Sequence, residues 1–289
     1  MDFYLTALLQ GLCFSALALG IYISMKIFNI PDITTNGSYT LGGAITGIML
    51  TNHQSTYLIL PIVIFAGGIA GALTGLITTK LKVNALLAGI LVMTGLHSVN
   101  LIIMGRSNLP LISTSSLFSI LNIAADPNHN TFWILSVFVA IITLMIGYLL
   151  KTDFGIAMRA TGNSESMVRA LGVDTDRMKI VGLALANALT ALSGYMIVQF
   201  QAFADINMGQ AIVIIGLGSV IIAESFINWF NITNVWIILI LVLIGAIIFQ
   251  LVLALTLAIG VDPNLLSLTT STFVLLIVSL PRLSFGKAS

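Results

Sequence analysis

Charge is scarce in this sequence. Lys, Arg, Asp and Glu make up 7% of its 289 residues, whereas apolar residues make up 58%. A soluble domain carries about 25% charged residues, so this chain cannot cover a water-facing surface and most of its exterior must face lipid. The net charge of +1 is too small to indicate nucleic acid as a partner. The composition therefore predicts an integral membrane protein.

Several kinds of chemistry are also missing. The single cysteine, Cys13, cannot form an internal disulfide. The only Gly-Lys pair, Gly286-Lys287, is followed by Ala288, so the chain has no phosphate-binding G-x-x-x-x-G-K-[ST] loop. We expect no catalytic residue, no metal ligand and no cofactor in this chain. The histidines are scattered and lack a metal-binding spacing: His53, His97 and His129.

Long apolar runs predict transmembrane helices. A run such as 236–259 does not alternate in polarity, which argues against a β-barrel. The fold class is therefore an all-α polytopic membrane protein, with about 8–10 transmembrane helices. Seven runs approach the ~20 residues that a span requires: 3–25, 57–79, 84–105, 132–150, 180–203, 234–259 and 265–281.

Two apolar segments, 39–51 and 211–223, are shorter and rich in glycine and other small residues. Such segments are typical of broken or re-entrant helices around a central pathway. They are equally consistent with ordinary helices that pack closely through small residues. The sequence leaves both interpretations open.

Basic residues predict the orientation. If 151–179 is cytoplasmic and every segment crosses, Arg106 alone of the eleven Lys and Arg residues lies outside. This positive-inside bias favours nine crossings with an outside N-terminus, and an even number with one re-entrant segment is the main alternative. The ten inner residues are Lys26, Lys80, Lys82, Lys151, Arg159, Arg169, Arg177, Lys179, Arg282 and Lys287.

The chain is expected to form a single transmembrane domain, 1–289, with halves 1–150 and 180–289 around a hydrophilic loop, 151–179. The runs 32–37 (DITTNG) and 205–209 (DINMG) each lead into a short apolar segment, from opposite sides of the membrane. That arrangement is typical of an inverted repeat, although chance can produce so short a match.

The hydrophilic loop contains residues that typically begin and end helices. Asn163 is predicted to cap a short helix, with Glu165 in its first turn and Arg169 near its end. Gly172 then closes this helix, and Asp174 can cap the next span. Because the loop is far too small for a catalytic domain, we expect it to contact another molecule.

An apolar face on that short helix suggests what it contacts. Met167, Val168 and Leu171 share this face. A soluble partner could take the face into a groove, or the helix could lie on lipid headgroups. The residues alone do not distinguish these two roles.

The loop also resembles a known sequence. Residues 152–163 (TDFGIAMRATGN) and 169–173 (RALGV) are similar to the cytoplasmic loop of permeases in the branched-chain amino acid and ribose family of ABC importers. Segments 32–44 and 205–218 resemble that family's amino-terminal signature and its second-half counterpart. The resemblance implies that the loop couples to an ATPase. The implied coupling residues are Arg159, Gly162, Asn163, Glu165, Met167, Val168, Arg169, Leu171 and Gly172.

The same resemblance implies partners and a location. The expected partners are an ABC ATPase subunit that binds ATP-Mg, an extracytoplasmic substrate-binding protein or lipoprotein, a second permease copy and membrane lipid. The expected location is the bacterial plasma membrane. Residues 29–38 (NIPDITTNGS) and 41–44 (LGGA) look closest to a branch that takes up aromatic amino acids. Nucleosides, sugars and other amino acids remain open as substrates.

Polar residues inside or beside the spans are candidates for a substrate pathway, because polar groups in lipid are costly. Asn187, Thr190 and Ser193 recur every three residues on one helix, and hydrogen bonding between helices would explain them equally well. Polar residues elsewhere have other interpretations: His97 and Asn100 as a packing or rim pair, and Glu224 as reaching water or pairing with Lys179. The candidate pathway residues are Asp32, Asn36, Asn187, Thr190, Gln199, Asp205 and Asn207.

The competing function is an ion-coupled secondary transporter, which would work without an ATPase. Such a transporter normally needs a buried carboxylate, and the long spans contain none apart from boundary residues such as Glu224 and Asp205. A lipid-modifying membrane enzyme is disfavoured, because the sequence offers no convergent acid–base or metal cluster.

Overall fold

The computed structural model describes residues 2–112, 114, 116–121, 126–262 and 265–285, and these residues are almost entirely helical. Within these described residues, nine helices have 18 residues or more. The long helices are α1 (Asp2–Ile21, continued by a π-helical segment, Tyr22–Ile27), α2 (Thr34–Thr51), α3 (Thr56–Thr79), α4 (Ala85–Met104), α6 (Pro127–Lys151), α9 (Thr175–Gln201), α10 (Ile212–Trp229), α11 (Val235–Ala258) and α12 (Leu266–Phe285).

The remaining elements are short and lie between the long helices. In the part of the chain that the structure describes, seven helices, counting α1 with its π-helical continuation, are long and apolar enough to cross a membrane. The all-α polytopic prediction is therefore confirmed. The short elements are β1 (Asn108–Pro110), α5 (Leu117–Ile120), α7 (Asp153–Asn163), α8 (Glu165–Ala170) and β2 (Phe203–Asp205).

Two groups of contacts define the two ends of the helix bundle. At the end that carries α7 and α8, Lys80 after α3 pairs with Asp176 at the start of α9, at 3.5 Å. We call this the inner end, because the basic residues cluster there. At the opposite, outer end, β1 and β2 form an antiparallel pair in which Asn108 faces Asp205.

Helix α1 lies at the centre of the bundle, with 78% of its most apolar window buried. It packs against α6, α9, α10 and α11. Glycines allow the neighbouring backbones to approach closely. A Cβ on Gly42 would collide with the carbonyl of Ala191, and one on Gly194 with the carbonyl of Tyr39. Small residues thus bring α2 and α9 together without a hydrophobic driving force between helices.

The two short segments are not broken. Each belongs to a continuous 18-residue helix, α2 or α10, about 27 Å long. Helix α2 begins at Thr34, before the apolar run, and α10 continues to Trp229, after it. The predicted runs were too short because α2 starts with polar residues that are nevertheless buried, including Thr34, Thr35 and Ser38. The alternative of close packing through small residues describes both helices.

The hydrophilic loop contains two helices instead of one. Asn163 ends α7, and Ser164 stands at the start of α8 without a capping side-chain bond. The prediction that Asn163 caps the short helix was therefore wrong, because residues 153–163 are themselves helical. The positive φ of Gly172 (+85°) fits its predicted role after the helix. Asp174 caps α9, since its Oδ1 accepts a hydrogen bond from the Arg177 N–H at 3.1 Å.

Candidate functional sites

Helix α7 is fastened to the segment that follows α1. The side chain of Asn29 donates a hydrogen bond to the carbonyl of Gly162 at 3.2 Å. A Cβ at position 162 would overlap the carbonyl oxygen of Ile27, so only glycine permits this approach. The predicted coupling residue Gly162 is therefore a fixed contact between the hydrophilic loop and the helix core.

A charge network ties α8 to the start of α9. Arg169 Nη2 lies 2.8 Å from Glu165 Oε1 and 3.2 Å from Asp176 Oδ1. Lys179 also pairs with Glu165, and this hydrogen bond, with the nearby positive charges, lowers the pKa of the Glu165 carboxyl. Arg169 and Glu165 thus use their charges within the chain, where they hold α8 in position.

Apolar side chains remain exposed on the same inner surface. Met167 is 63% and Leu171 72% exposed, and Ile156 on α7 is 50% exposed. Val168 is buried, so the predicted apolar face divides into one core residue and two surface residues. We call Ile156, Met167 and Leu171 the docking residues, after the partner contact that the sequence resemblance predicts for this loop.

Two other predicted coupling residues lie at the same surface. Asn163 is exposed. Arg159 is partly buried, and its Nε has no hydrogen-bond partner among the described residues. Glu224 pairs with Lys26 near the inner end, whereas Lys179 pairs with Glu165. The suggested Glu224–Lys179 pair was therefore wrong, because each of the two side chains pairs with a different residue.

The starts of α2 and α10 meet inside the bundle. Asn36 Oδ1, in the first turn of α2, accepts a hydrogen bond from the backbone N–H of Val213, in the first turn of α10, at 3.1 Å. A Cβ on Gly209 would collide with the carbonyl of Asn36. The chain before α10 thus descends from the outer end to reach the recessed start of α2.

A polar cleft of about 220 Å³ opens beside this junction, towards α4. Asn100 on α4 is 1% exposed, and its Nδ2 donates to the carbonyl of Gly37 at 3.2 Å. Its Oδ1 has no partner among the described residues. The lining residues are Asn36, Gly37, Thr40, Met93, Thr94, His97, Asn100, Ile206, Asn207, Gly209 and Gln210.

The cleft brings together two predicted pathway residues, Asn36 and Asn207. Asp205 shapes the turn beside it, because its Oδ1 accepts from the Asn207 N–H at 2.8 Å. His97 and Asn100 had been interpreted as a packing or rim pair, and the structure places both on the cleft. Their i, i+3 spacing on one helix face was the signal available in the sequence.

Other predicted pathway residues lie in the packed interior. Asn187 Nδ2 donates to Asp32 Oδ2 at 2.6 Å, and Asn187 Oδ1 accepts from Ser38 at 2.7 Å. Asp32 Oδ1 also accepts from the Thr34 N–H at 2.9 Å, at the start of α2. This network joins the 28–33 segment, α2 and α9. A carboxylate at a helix N-terminus is favourably placed in the helix dipole.

The last polar groups of α9 also bond within the bundle. Thr190 bonds to the carbonyl of Ala186 at 2.9 Å within its own helix. Ser193 donates to the carbonyl of Cys13 at 2.8 Å, and Gln199 accepts from the Leu117 N–H at 2.7 Å. In this conformation, these residues hold elements together and do not line the polar cleft.

The fold is that of a polytopic membrane protein, and comparison with known proteins specifies which kind. Residues 3–279 match the family described as the permease component of the branched-chain amino acid transport system. A tyrosine transport system permease protein of Clostridioides difficile (strain R20291) is 34% identical over 99% of this chain and 94% of its own. The ribose import permease protein RbsC of Haemophilus influenzae is 25% identical over 78% and 69%, respectively.

A solved structure supports the fold. A metal-chelate-type ABC transporter in an inward-facing conformation aligns with a TM-score of 0.51 and 15% identity, over 96% of this chain and 83% of that one. This chain belongs to the branched-chain amino acid transport permease family of ABC transporters. It is a multi-pass plasma membrane protein and an ABC transporter permease component, and permease subunits of this family have no ATPase site of their own.

Proposed function

We propose that this chain is the membrane permease of an ATP-driven importer for an aromatic amino acid, powered by a separate ATPase that binds ATP-Mg. The observation that carries the proposal is the inner surface, where exposed docking residues lie on helices fastened to the core. The family membership supports the ATPase partner, and the tyrosine permease relative supports the substrate class and the inward direction.

The inner surface has the chemistry of a docking element. Met167 and Leu171 present apolar side chains that a groove on the ATPase would remove from water. Arg159 offers a cation that forms no ion pair with the described residues, so it is available to an acidic group on the partner. The Glu165–Arg169 network keeps these groups in a fixed orientation.

A continuous set of contacts joins this surface to the polar cleft. Gly162 contacts Ile27 and Asn29. Both residues lie shortly before Asp32, which is buried in the 28–33 segment. Asp32 caps α2, whose first turn carries Asn36 at the cleft. A displacement of α7 by the ATPase would therefore move the start of α2. Contacts that the ATPase makes in one conformation and not in the other shift the balance between inward-open and outward-open states.

A second permease copy would complete the pathway. Thr94, His97 and Ser98 are exposed on α4, within the span. Polar side chains that face lipid are costly, so such a face normally lies against protein or water. A homodimer that brings two α4 helices together would enclose these groups. An extracytoplasmic binding protein would then deliver the solute to the outer end.

Copurification tests this assignment. We would purify the chain in mild detergent from its native membrane and identify stoichiometric partners by mass spectrometry. We expect a P-loop ATPase that is lost when Met167 and Leu171 are changed to Asp. A stable chain that retains no ATPase would favour the ion-coupled alternative.

A further inference from the structure

The polar cleft contains a group that the fold leaves unsatisfied. Asn100 Oδ1 is buried and has no hydrogen-bond partner among the described residues, although Nδ2 of the same amide is bonded to Gly37. Native proteins pair nearly all buried polar atoms, and each exception calls for an explanation. Asn100 also lines the cleft, so a hydrogen-bond donor on a ligand bound there would explain its unpaired oxygen.

The lining indicates the chemical class of that ligand. The side chains are amides, hydroxyls, one imidazole, a thioether and the aliphatic group of Ile206, and no carboxylate or ammonium occurs among the described residues of the lining. Such a surface binds through hydrogen bonds and suits a solute without net charge. A volume of about 220 Å³ lies below the range typical of drug-sized ligands, ~300–1,000 Å³. The space therefore suits a small solute such as a single amino acid.

Burial distinguishes Asn100 from the other amides of the described lining, because Asn207 and Gln210 are exposed and Asn36 is partly buried. Asn36 bonds to Val213 through Oδ1, and Asn207 Oδ1 accepts from Gln210 Nε2 at 3.1 Å. Asn100 thus supplies the buried acceptor, while His97, one turn before it, is exposed at the edge of the cleft. A solute that enters from the outer end would reach the level of Asn100 first and then that of His97, which lies on the exposed edge of the cleft.

We propose that the polar cleft is a solute-binding site, in which Asn100 Oδ1 accepts a hydrogen bond from the ammonium group of an amino acid and His97 contacts the solute at the exposed edge. This inference rests on the proposed function and adds the residues that recognise the substrate. It also accounts for the polar edge of α4, since that edge forms one wall of the site.

The test is uptake kinetics in proteoliposomes that contain the permease–ATPase complex, with its binding protein outside, and radiolabelled L-tyrosine or L-tryptophan as the probe. We expect Asn100→Leu to raise KM at least tenfold and His97→Ala at least threefold, with ATPase association unchanged. Asn128→Leu and His129→Ala are matched controls at the start of α6, away from the cleft, and their KM should stay within twofold of the wild type.

The Asn100→Asp variant distinguishes a loss of solute recognition from a loss of the structural bond to Gly37. The Asp and Leu variants both lose the bond to Gly37, but only Asp keeps an acceptor. A KM near the wild-type value for Asn100→Asp supports the site, whereas equal impairment of both variants, or an unchanged KM for Asn100→Leu, would overturn it. An intact wild-type complex that imports neither probe would also overturn it. Failure of the wild-type chain to associate with any ATPase would instead refute the proposed function.

Labelling provides a measurement that does not depend on transport. The only native cysteine, Cys13, is fully buried, so a His97→Cys variant offers one accessible thiol. We expect a membrane-impermeant maleimide to label this variant from the outer side and saturating substrate to slow labelling at least threefold. Labelling that the substrate does not affect would contradict a solute at the exposed edge of the cleft.

Discussion

Asn36 and Val213 are 177 residues apart in sequence, yet the Asn36 amide oxygen accepts the Val213 N–H at 3.1 Å. This bond joins the first turns of two helices that run in opposite directions. Helix α2 begins within the run 32–37, and α10 begins shortly after the similar run 205–209. The convergence of two helix starts inside a membrane protein is typical of a transport site, and here the polar cleft lies directly beside it.

Removal of the Asn36 acceptor should therefore weaken this junction. Asn36→Leu leaves the Val213 N–H without its partner, at a cost of about 1–3 kcal/mol. We expect a lower thermal midpoint for the purified complex, together with reduced uptake. Asn36→Asp keeps an acceptor and should retain most of the stability. Equal midpoints for Asn36→Leu and the wild type would show that the bond does not stabilise the helix starts.

The docking residues should control association with the ATPase. Changing both Met167 and Leu171 to Asp places charges where the partner would bury apolar surface, so we expect ATPase copurification to fall at least tenfold while membrane insertion is unaffected. Ile112→Asp is the matched control, since Ile112 is 89% exposed at the outer end. If the double variant retained its ATPase, α8 would be a surface helix.

Gly162 should tolerate no side chain. In Gly162→Ala the new Cβ would overlap the Ile27 carbonyl oxygen, and overpacking of this kind costs about 1–3 kcal/mol. We expect a lower thermal midpoint and uncoupled ATP hydrolysis. Gly68→Ala is the control, because a Cβ there meets only the Ala184 carbonyl at an ordinary 3.9 Å. Normal coupling in Gly162→Ala would show that α7 does not transmit through this contact.

The Glu165 network should make stability depend on pH. The folded-state pKa of Glu165 is lowered, so its contribution is present above the ordinary value of 4.5 and is lost as pH falls through the folded value. Glu165→Gln should therefore lower the thermal midpoint at pH 7 and have little effect at the lowest pH that the complex tolerates. Equal destabilisation at both pH values would assign the effect to packing.

The sequence predicted the long spans well because apolar length alone specifies them. It underestimated α2 because Thr34, Thr35 and Ser38 are polar residues that bond inside the bundle, and a hydropathy window counts them as loop. The capping role predicted for Asn163 was wrong because Asn and Asp residues occur both at helix starts and within short helices. Such local patterns do not contain the tertiary contacts that decide between the two.

The candidate sites show the same difference between what local sequence predicts and what tertiary contacts decide. Resemblance identified the coupling loop, but the burial of Val168 and the internal use of Arg169 depend on how α8 packs against α9. The Lys26–Glu224 pair joins residues 198 positions apart, and no local spacing could reveal it. In the sequence, Asn100 was only one member of an i, i+3 pair. The structure shows that its Nδ2 bonds to the Gly37 carbonyl and that its Oδ1 has no partner among the described residues.

The measurement that tests the central claim most directly is tyrosine uptake by proteoliposomes that contain the permease, its ATPase and its binding protein. We predict that tyrosine accumulates only when ATP is present, that accumulation stops when the ATPase is omitted, and that it is lost in the Met167→Asp/Leu171→Asp variant. Uptake by the permease alone, driven by an ion gradient and independent of ATP, would contradict it.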